Sequence, residues 1–222
     1  KLINGGPIMM LYPWGYAQSL YTPDSALFVE YAKVMTEQNN YTYGTGDQTV
    51  GYIVNGDSDD WQYGEQTTKD KALSFTPEAG DNDDGFWPTS SRIIPISKSN
   101  LRQNLNYAHL AGKYARVEDK SPTTISNISS YIDFEIKRLG LDSPATFTVN
   151  LVPISPQISS VGGPVVFSGM SLLETRVDSI SMNLITGIND GDQIKFLMNI
   201  DNGSFIVSDT ITKTYGTGTS VF

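Results

Sequence analysis

A chain of 222 residues with a net charge of −9 is long enough to bury a core in one large domain or two ordinary ones. Its acidic surplus, present in both halves of the sequence, argues against nucleic-acid binding, because neutralising phosphates takes a basic face. The absence of cysteine and the presence of one histidine, His109, exclude disulfides, thiol catalysis and any mononuclear zinc site that needs two histidines from this chain. No segment approaches the run of about 18 apolar residues that a membrane span requires. Lys1-Leu2-Ile3 leads straight into Asn4-Gly5-Gly6-Pro7 with no apolar core of a signal peptide, so the sequence is expected to start after a cleavage site or inside a longer protein.

In chain order, Ile8-Met9-Met10-Leu11-Tyr12 reads as a short buried strand. Thr22-Pro23-Asp24 predicts a helix start, with a capping residue, a proline at the first helical position and an acid in the first turn. Leu27, Phe28, Tyr31, Val34 and Met35 fall on one apolar face, and Asn39-Asn40 should end the helix. Tyr41 to Gln66 reads as a long loop-rich stretch, of a length that is often functional. Ala72 to Thr76 reads as a strand ended by Pro77 and followed by Glu78-Ala79-Gly80. The polar loop Asp81 to Asp84 leads to Phe86-Trp87-Pro88, and a helix is predicted from Ser97 to Arg116 with Leu101, Leu105, Ala108 and Ala111 on one face.

Beyond this the period changes to two. Tyr131 to Ile136, Ala145 to Leu151, Val177 to Leu184, Ile194 to Ile200 and Phe205 to Val207 alternate, with Asn, Asp and Gly between them. That pattern predicts a β-sandwich, immunoglobulin-like or jelly-roll-like. The expected organisation is an α/β region over residues 1–117, a polar linker over 118–130 and the sandwich over 131–222. Tyr215 to Phe222 carry no stop signal, so the sandwich is expected to be truncated.

Four segments of the first region, taken together, resemble the C-terminal half of the zinc metallocarboxypeptidases, the carboxypeptidase A-like family. They are Met10-Leu11-Tyr12-Pro13-Trp14-Gly15-Tyr16, Tyr52 to Trp61, Leu73-Ser74-Phe75-Thr76-Pro77-Glu78, and Gly85-Phe86-Trp87-Pro88 with Ile93-Ile94-Pro95. They follow one another in family order and cover about residues 8–115. The resemblance implies a mixed sheet with helices and a zinc hydrolase that removes C-terminal residues from peptides. It implies that Glu78 moves the proton from water to the leaving amine, that Tyr52 is the mobile tyrosine closing over the peptide terminus, and that Tyr12 belongs to the substrate site. The Gly56-Asp57-Ser58-Asp59-Asp60 loop falls where the family lines the pocket for the C-terminal side chain. Carboxylates at Asp57 and Asp59 imply a preference for Lys or Arg there. Helix capping is the competing role for the aspartates, above all for Asp60. Calcium binding competes less well, since neither Asp57-Ser58-Asp59-Asp60 nor Asp81-Asn82-Asp83-Asp84 has the ligand pattern of a calcium loop.

The zinc ligands depart from the pattern. Two of them would precede Lys1, and the third position, eight residues before Tyr12, is Asn4. His109, mid-helix between Ala108 and Leu110, is no replacement. No metal is therefore expected in this chain, although the complete family enzyme uses zinc, and the chain alone is expected to be inactive. Two functions stay open: a part of an exported carboxypeptidase (secreted, periplasmic or cell-surface), or a non-catalytic binding module for peptides, glycans or surface partners. Loss of neighbouring strands would leave a sheet edge open to dimerisation or other pairing.

Overall fold

The structure is a computed structural model that describes residues 8–81 and 83–216. Two compact units divide between Ala108 and His109.

The first unit contains strand β1 (Met9–Leu11), helix α1 (Ser25–Thr36), strand β2 (Thr42–Gly44), helices α2 (Gly46–Thr49) and α3 (Ser58–Gly64), strand β3 (Thr76–Glu78), a 3-10 turn at Ser90–Arg92, and helix α4 (Ile93–Ala111). The sheet order is β2-β1-β3. β1 runs parallel to β2, with Met9 opposite Thr42, and antiparallel to β3, with Met9 opposite Glu78 and Leu11 opposite Thr76. All three residues of β1 are buried, which is why it reads as an unbroken apolar run rather than an alternating one. α1 buries the predicted face of Leu27, Phe28, Tyr31, Val34 and Met35. Phe28 is the centre of an aromatic core: it stacks on Tyr12 at 5.5 Å and meets Tyr63 and Phe75 edge-on, each at 5.2 Å.

Local details differ from the sequence expectations. α1 starts after Asp24 rather than at Pro23, and the Asp24 carboxylate makes no cap bond. It accepts instead from the Tyr63 hydroxyl and Lys71. The stretch from Tyr41 to Gln66 holds one strand and two short helices. The strand expected at 72–76 forms at 76–78, with Pro77 inside it. Proline is tolerated there because β3 ends the sheet, so a missing donor breaks no ladder on its outer side. On α4, Ile94, Leu101 and Leu105 are exposed. The helix turns Gln103 and Asn106 inward, where Asn106 Nδ2 donates to the Val34 carbonyl (2.7 Å) and Asn39 donates to Gln103 (2.9 Å). The bond to Val34 occupies a carbonyl in the last turn of α1 that has no partner within the helix.

The second unit is a β-sandwich. Its strands are β4 (Ala115–Asp119), β5 (Thr124–Ile125), β6 (Ser129–Arg138), β7 (Thr146–Pro153), β8 (Ile158–Val161), β9 (Val165–Ser168), β10 (Thr175–Leu184), β11 (Gln193–Asp201) and β12 (Ile206–Tyr215). They form a four-stranded sheet, β4-β6-β10-β8, and a five-stranded sheet, β5-β12-β11-β7-β9. One core cluster takes inward residues from both, including Ile132, Phe134 and Ile136 of β6 and Phe147, Phe196 and Met198 of the other sheet. Residues expected as linker are thus partly strand. The helix ends at Ala111, and Ala115 to Val117, expected in the α/β region, join Glu118 and Asp119 of the expected linker in a strand that pairs with β6 along its whole length; Thr124 and Ile125 pair with the end of β12. The polar composition of 118–130 reflects edge positions, which one face of water suits.

At Gly140 a side chain has no room: a Cβ would overlap the Gly112 carbonyl oxygen and the Tyr114 amide nitrogen. The Gly140 amide donates to the Tyr114 carbonyl at 2.7 Å. Both obstacles are backbone. Gly140→Ala should therefore destabilise the sandwich by about 1–3 kcal/mol, the range for forced overpacking, as a fall in the urea midpoint at constant slope.

Candidate functional site

Glu78 is the last residue of β3. Thr76 and Glu78 are both half-buried and Pro77 between them is exposed, so the two side chains share one face of the strand. On that face the Thr76 hydroxyl donates to Asp59 Oδ1. The first turn of α3 is thereby tied to the strand that carries Glu78.

Each aspartate in this turn has its own task. Asp57 is the N-cap of α3 and accepts from the Asp59 amide (3.3 Å). Asp60 accepts from the amides of Gly15 (2.9 Å) and Tyr16 (3.1 Å), holding the aromatic turn after β1. A Cβ on Gly15 would come within 3.2 Å of Asp57 Oδ2, so a larger residue there would press on that carboxylate. Asp59 is 1 % exposed. Burial, reinforced by the neighbouring Asp57 carboxyl, pushes its pKa up to about 7 against the pull of the Thr76 hydrogen bond. Burial also raises Asp60, opposed by the Gly15 amide.

The remaining sequence-predicted residues fall in different settings. Tyr52 is well exposed, at 60 %. Tyr12 is buried against Phe28 and Phe75: expected in the substrate site, it is a core residue, and burial raises its phenol pKa. Asn4 lies outside the described residues. Trp61 is exposed, with Lys69 Nζ 5.1 Å from its ring centroid. The structure therefore joins Asp57, Asp59, Asp60 and, through Thr76, Glu78.

A second polar feature, not assigned from sequence, lies in the loop before α4. Arg92 pairs with Asp84 through Nε and Nη2 and reaches Asp81 at 2.7 Å. The guanidinium holds the Asp84 carboxyl down at about 2. These residues, with Asp83, Trp87, Pro88 and Thr89, line a cleft of about 410 Å³. The signal was present in the Asp81-x-x-Asp84 spacing, but the arginine eight residues later is brought back only by the 3-10 turn.

Among the described residues no three His, Cys, Asp or Glu side chains converge as a metal site. His109 stacks on Tyr114 at 5.4 Å and lies 5.0 Å from the Phe205 ring, an aromatic setting and not a ligand set. The described residues do not fit a zinc site.

Residues 3–103 match the family model for zinc carboxypeptidase, peptidase family M14. The first unit is carboxypeptidase-like. The matched stretch takes in every element from β1 through the 3-10 turn and about half of α4, so the residues around Glu78 and α3 all lie inside it. A search of curated proteins gave no match. Among solved structures the chain is similar to a conjugative transposon lipoprotein from Bacteroides eggerthii (TM-score 0.30, 9 % identity, 45 % of this chain and 95 % of that one). It is also similar to the CooA pilin subunit from enterotoxigenic Escherichia coli (TM-score 0.28, 14 % identity, 46 % and 97 %). Likenesses this low carry no argument about the carboxypeptidase-like unit or the sandwich. No helix among the described residues is long and apolar enough to cross a membrane.

Proposed function

We propose that the first unit is the proton-transferring and pocket-forming part of an exported zinc metallocarboxypeptidase acting on peptides with C-terminal Lys or Arg. The family match over residues 3–103, with Glu78 at the end of β3 and tied through Thr76 to the aspartate turn, carries this reading. In it Glu78 takes a proton from water and delivers it to the leaving amine. Asp57, which is only partly buried, is the carboxylate that meets a cationic side chain, and Asp59 is buried in the same turn. Tyr52, exposed beside the same loop, is free to swing over the peptide terminus.

The metal ligands of such an enzyme have to come from outside the described residues. The exposed apolar stripe of α4, Ile94, Leu101 and Leu105, supports the same reading, since a surface of that kind is usually covered by further protein. The outer edges of β2 and β3 are further places where strands, or a second copy, would pair.

Zinc content after equilibration with zinc and dialysis, together with hydrolysis of Lys- and Arg-ended peptides, tests the proposal. The expected outcome is zinc far below one per chain and no hydrolysis by this chain alone. About one tightly held zinc per chain would overturn the ligand assignment. Hydrolysis that survives Glu78→Gln would overturn the role of Glu78.

A further inference from the structure

The first turn of α3 packs three carboxyl groups into a small space, and one of them has almost no contact with water. Asp59 is 1 % exposed. Its environment can be followed element by element. On its own helix and cap it faces the carboxyl group of Asp57, which also neighbours Asp60. From β3 it receives the Thr76 hydroxyl. From the turn after β1, the Gly15 and Tyr16 amides go to Asp60, not to Asp59. The two nearby lysines are engaged elsewhere: Lys69 over Trp61 and on the Gln62 and Glu65 carbonyls, and Lys71 on Asp24. No cation contributes to the setting of Asp59.

A carboxylate shut away with a second carboxyl as its neighbour and only one hydroxyl donor is costly to ionise. Such a group relieves the cost by holding a proton. We propose that Asp59, shut away from water with the Thr76 hydroxyl as its donor, carries a proton while the first turn of α3 is docked, and that this proton makes the turn a pH-sensitive latch on strand β3.

The direction follows from which state binds the proton. With the turn docked, Asp59 keeps its proton up to about pH 7; with the turn undocked it is an ordinary aspartate, which ionises near 3.8. The docked state therefore binds more protons between these two values. Docking is strongest below the lower value, weakens as pH rises through the window and levels off above the upper one. Thr76 is two residues from Glu78, so the latch acts on the strand that carries that carboxylate. The inference does not depend on what Glu78 does.

The test uses the full chain. The Asp59 side-chain carbon shift is followed by NMR across this window, and hydrogen exchange of the Ser58–Trp61 amides is measured at about pH 5 and about pH 8, corrected for intrinsic exchange. The latch predicts an Asp59 midpoint near 7 and an opening equilibrium that rises at least about tenfold between the two conditions. In Asp59→Asn, which keeps an acceptor for Thr76 and cannot ionise, the opening should be the same at both. A wild-type midpoint below about 5 would overturn the proposal. So would a pH-independent opening in the wild type, or an equal rise in the variant. The wild-type titration decides the matter even if the variant does not fold.

Discussion

Replacing Asp119 by alanine should destabilise the sandwich by about 3 kcal/mol, the cost of leaving a buried charge without its partner. Lys213 sits on β12 at 2 % exposure. Its ammonium pairs with Asp119 of β4 and donates to the Ser121 carbonyl at 2.9 Å. β4 lies in the four-stranded sheet and β12 in the five-stranded sheet, so this one ion pair bridges the two layers. Removing the carboxylate leaves a buried cation with a single carbonyl partner. Removing both charges is different. Asp119→Leu combined with Lys213→Met should fall within about 1 kcal/mol of wild type, or above it, because the desolvation cost of the pair disappears with its attraction. Urea unfolding of the two single variants and the double variant measures the coupling. A single Asp119→Ala variant as stable as wild type would show that water reaches Lys213.

Phe28→Ala should destabilise the first unit by about 3–5 kcal/mol. Phe28 is fully buried and contacts three rings, Tyr12, Tyr63 and Phe75. Truncation leaves a cavity walled by flat side chains that collapse poorly into it. Tyr63 belongs to α3, so the loss extends to the helix that carries the aspartates. Trp14, 5.1 Å from Tyr63, is a local reporter. Its environment should change in the variant under native conditions, and the unfolding midpoint should drop. A loss below about 1 kcal/mol would mean the aromatic cluster repacks.

Much of this architecture was legible as pattern. The apolar run at β1 and the buried face of α1 follow directly from spacing, and the period-two runs mark five of the sandwich strands. What was not legible depends on partners distant in sequence. β8 and β9 are four residues each, and their Ser- and Val-rich sequences, ISSV and VVFS, are ordinary outside the sheet that receives them. Pro77 looked like a strand terminator because its tolerance depends on lying at a sheet edge. The apolar positions of α4 did not mark its packed side: Leu101 and Leu105 are exposed, while Gln103 and Asn106 turn inward to the Asn39 side chain and the Val34 carbonyl. At the site, capping by an aspartate of this turn is a local rule, but the sequence pointed to Asp60, whereas Asp57 is the cap. The Asp60 bonds to Gly15 and Tyr16 join residues more than forty positions apart and left no local signal. The place of Tyr12 beside a family motif suggested substrate contact; its ring packs inward against Phe28 and Phe75.

The most direct test of the central claim, that this unit carries a pocket for a basic peptide terminus, is an NMR titration of the full chain. A short peptide ending in Lys with a free carboxylate is compared with the same peptide ending in Leu and with its C-terminal amide. The account predicts saturable shifts at Tyr52, Asp57 and Glu78 for the Lys-ended acid, with weaker binding of the other two. Equal binding of all three peptides, or shifts confined to residues away from α3 and β3, would contradict it.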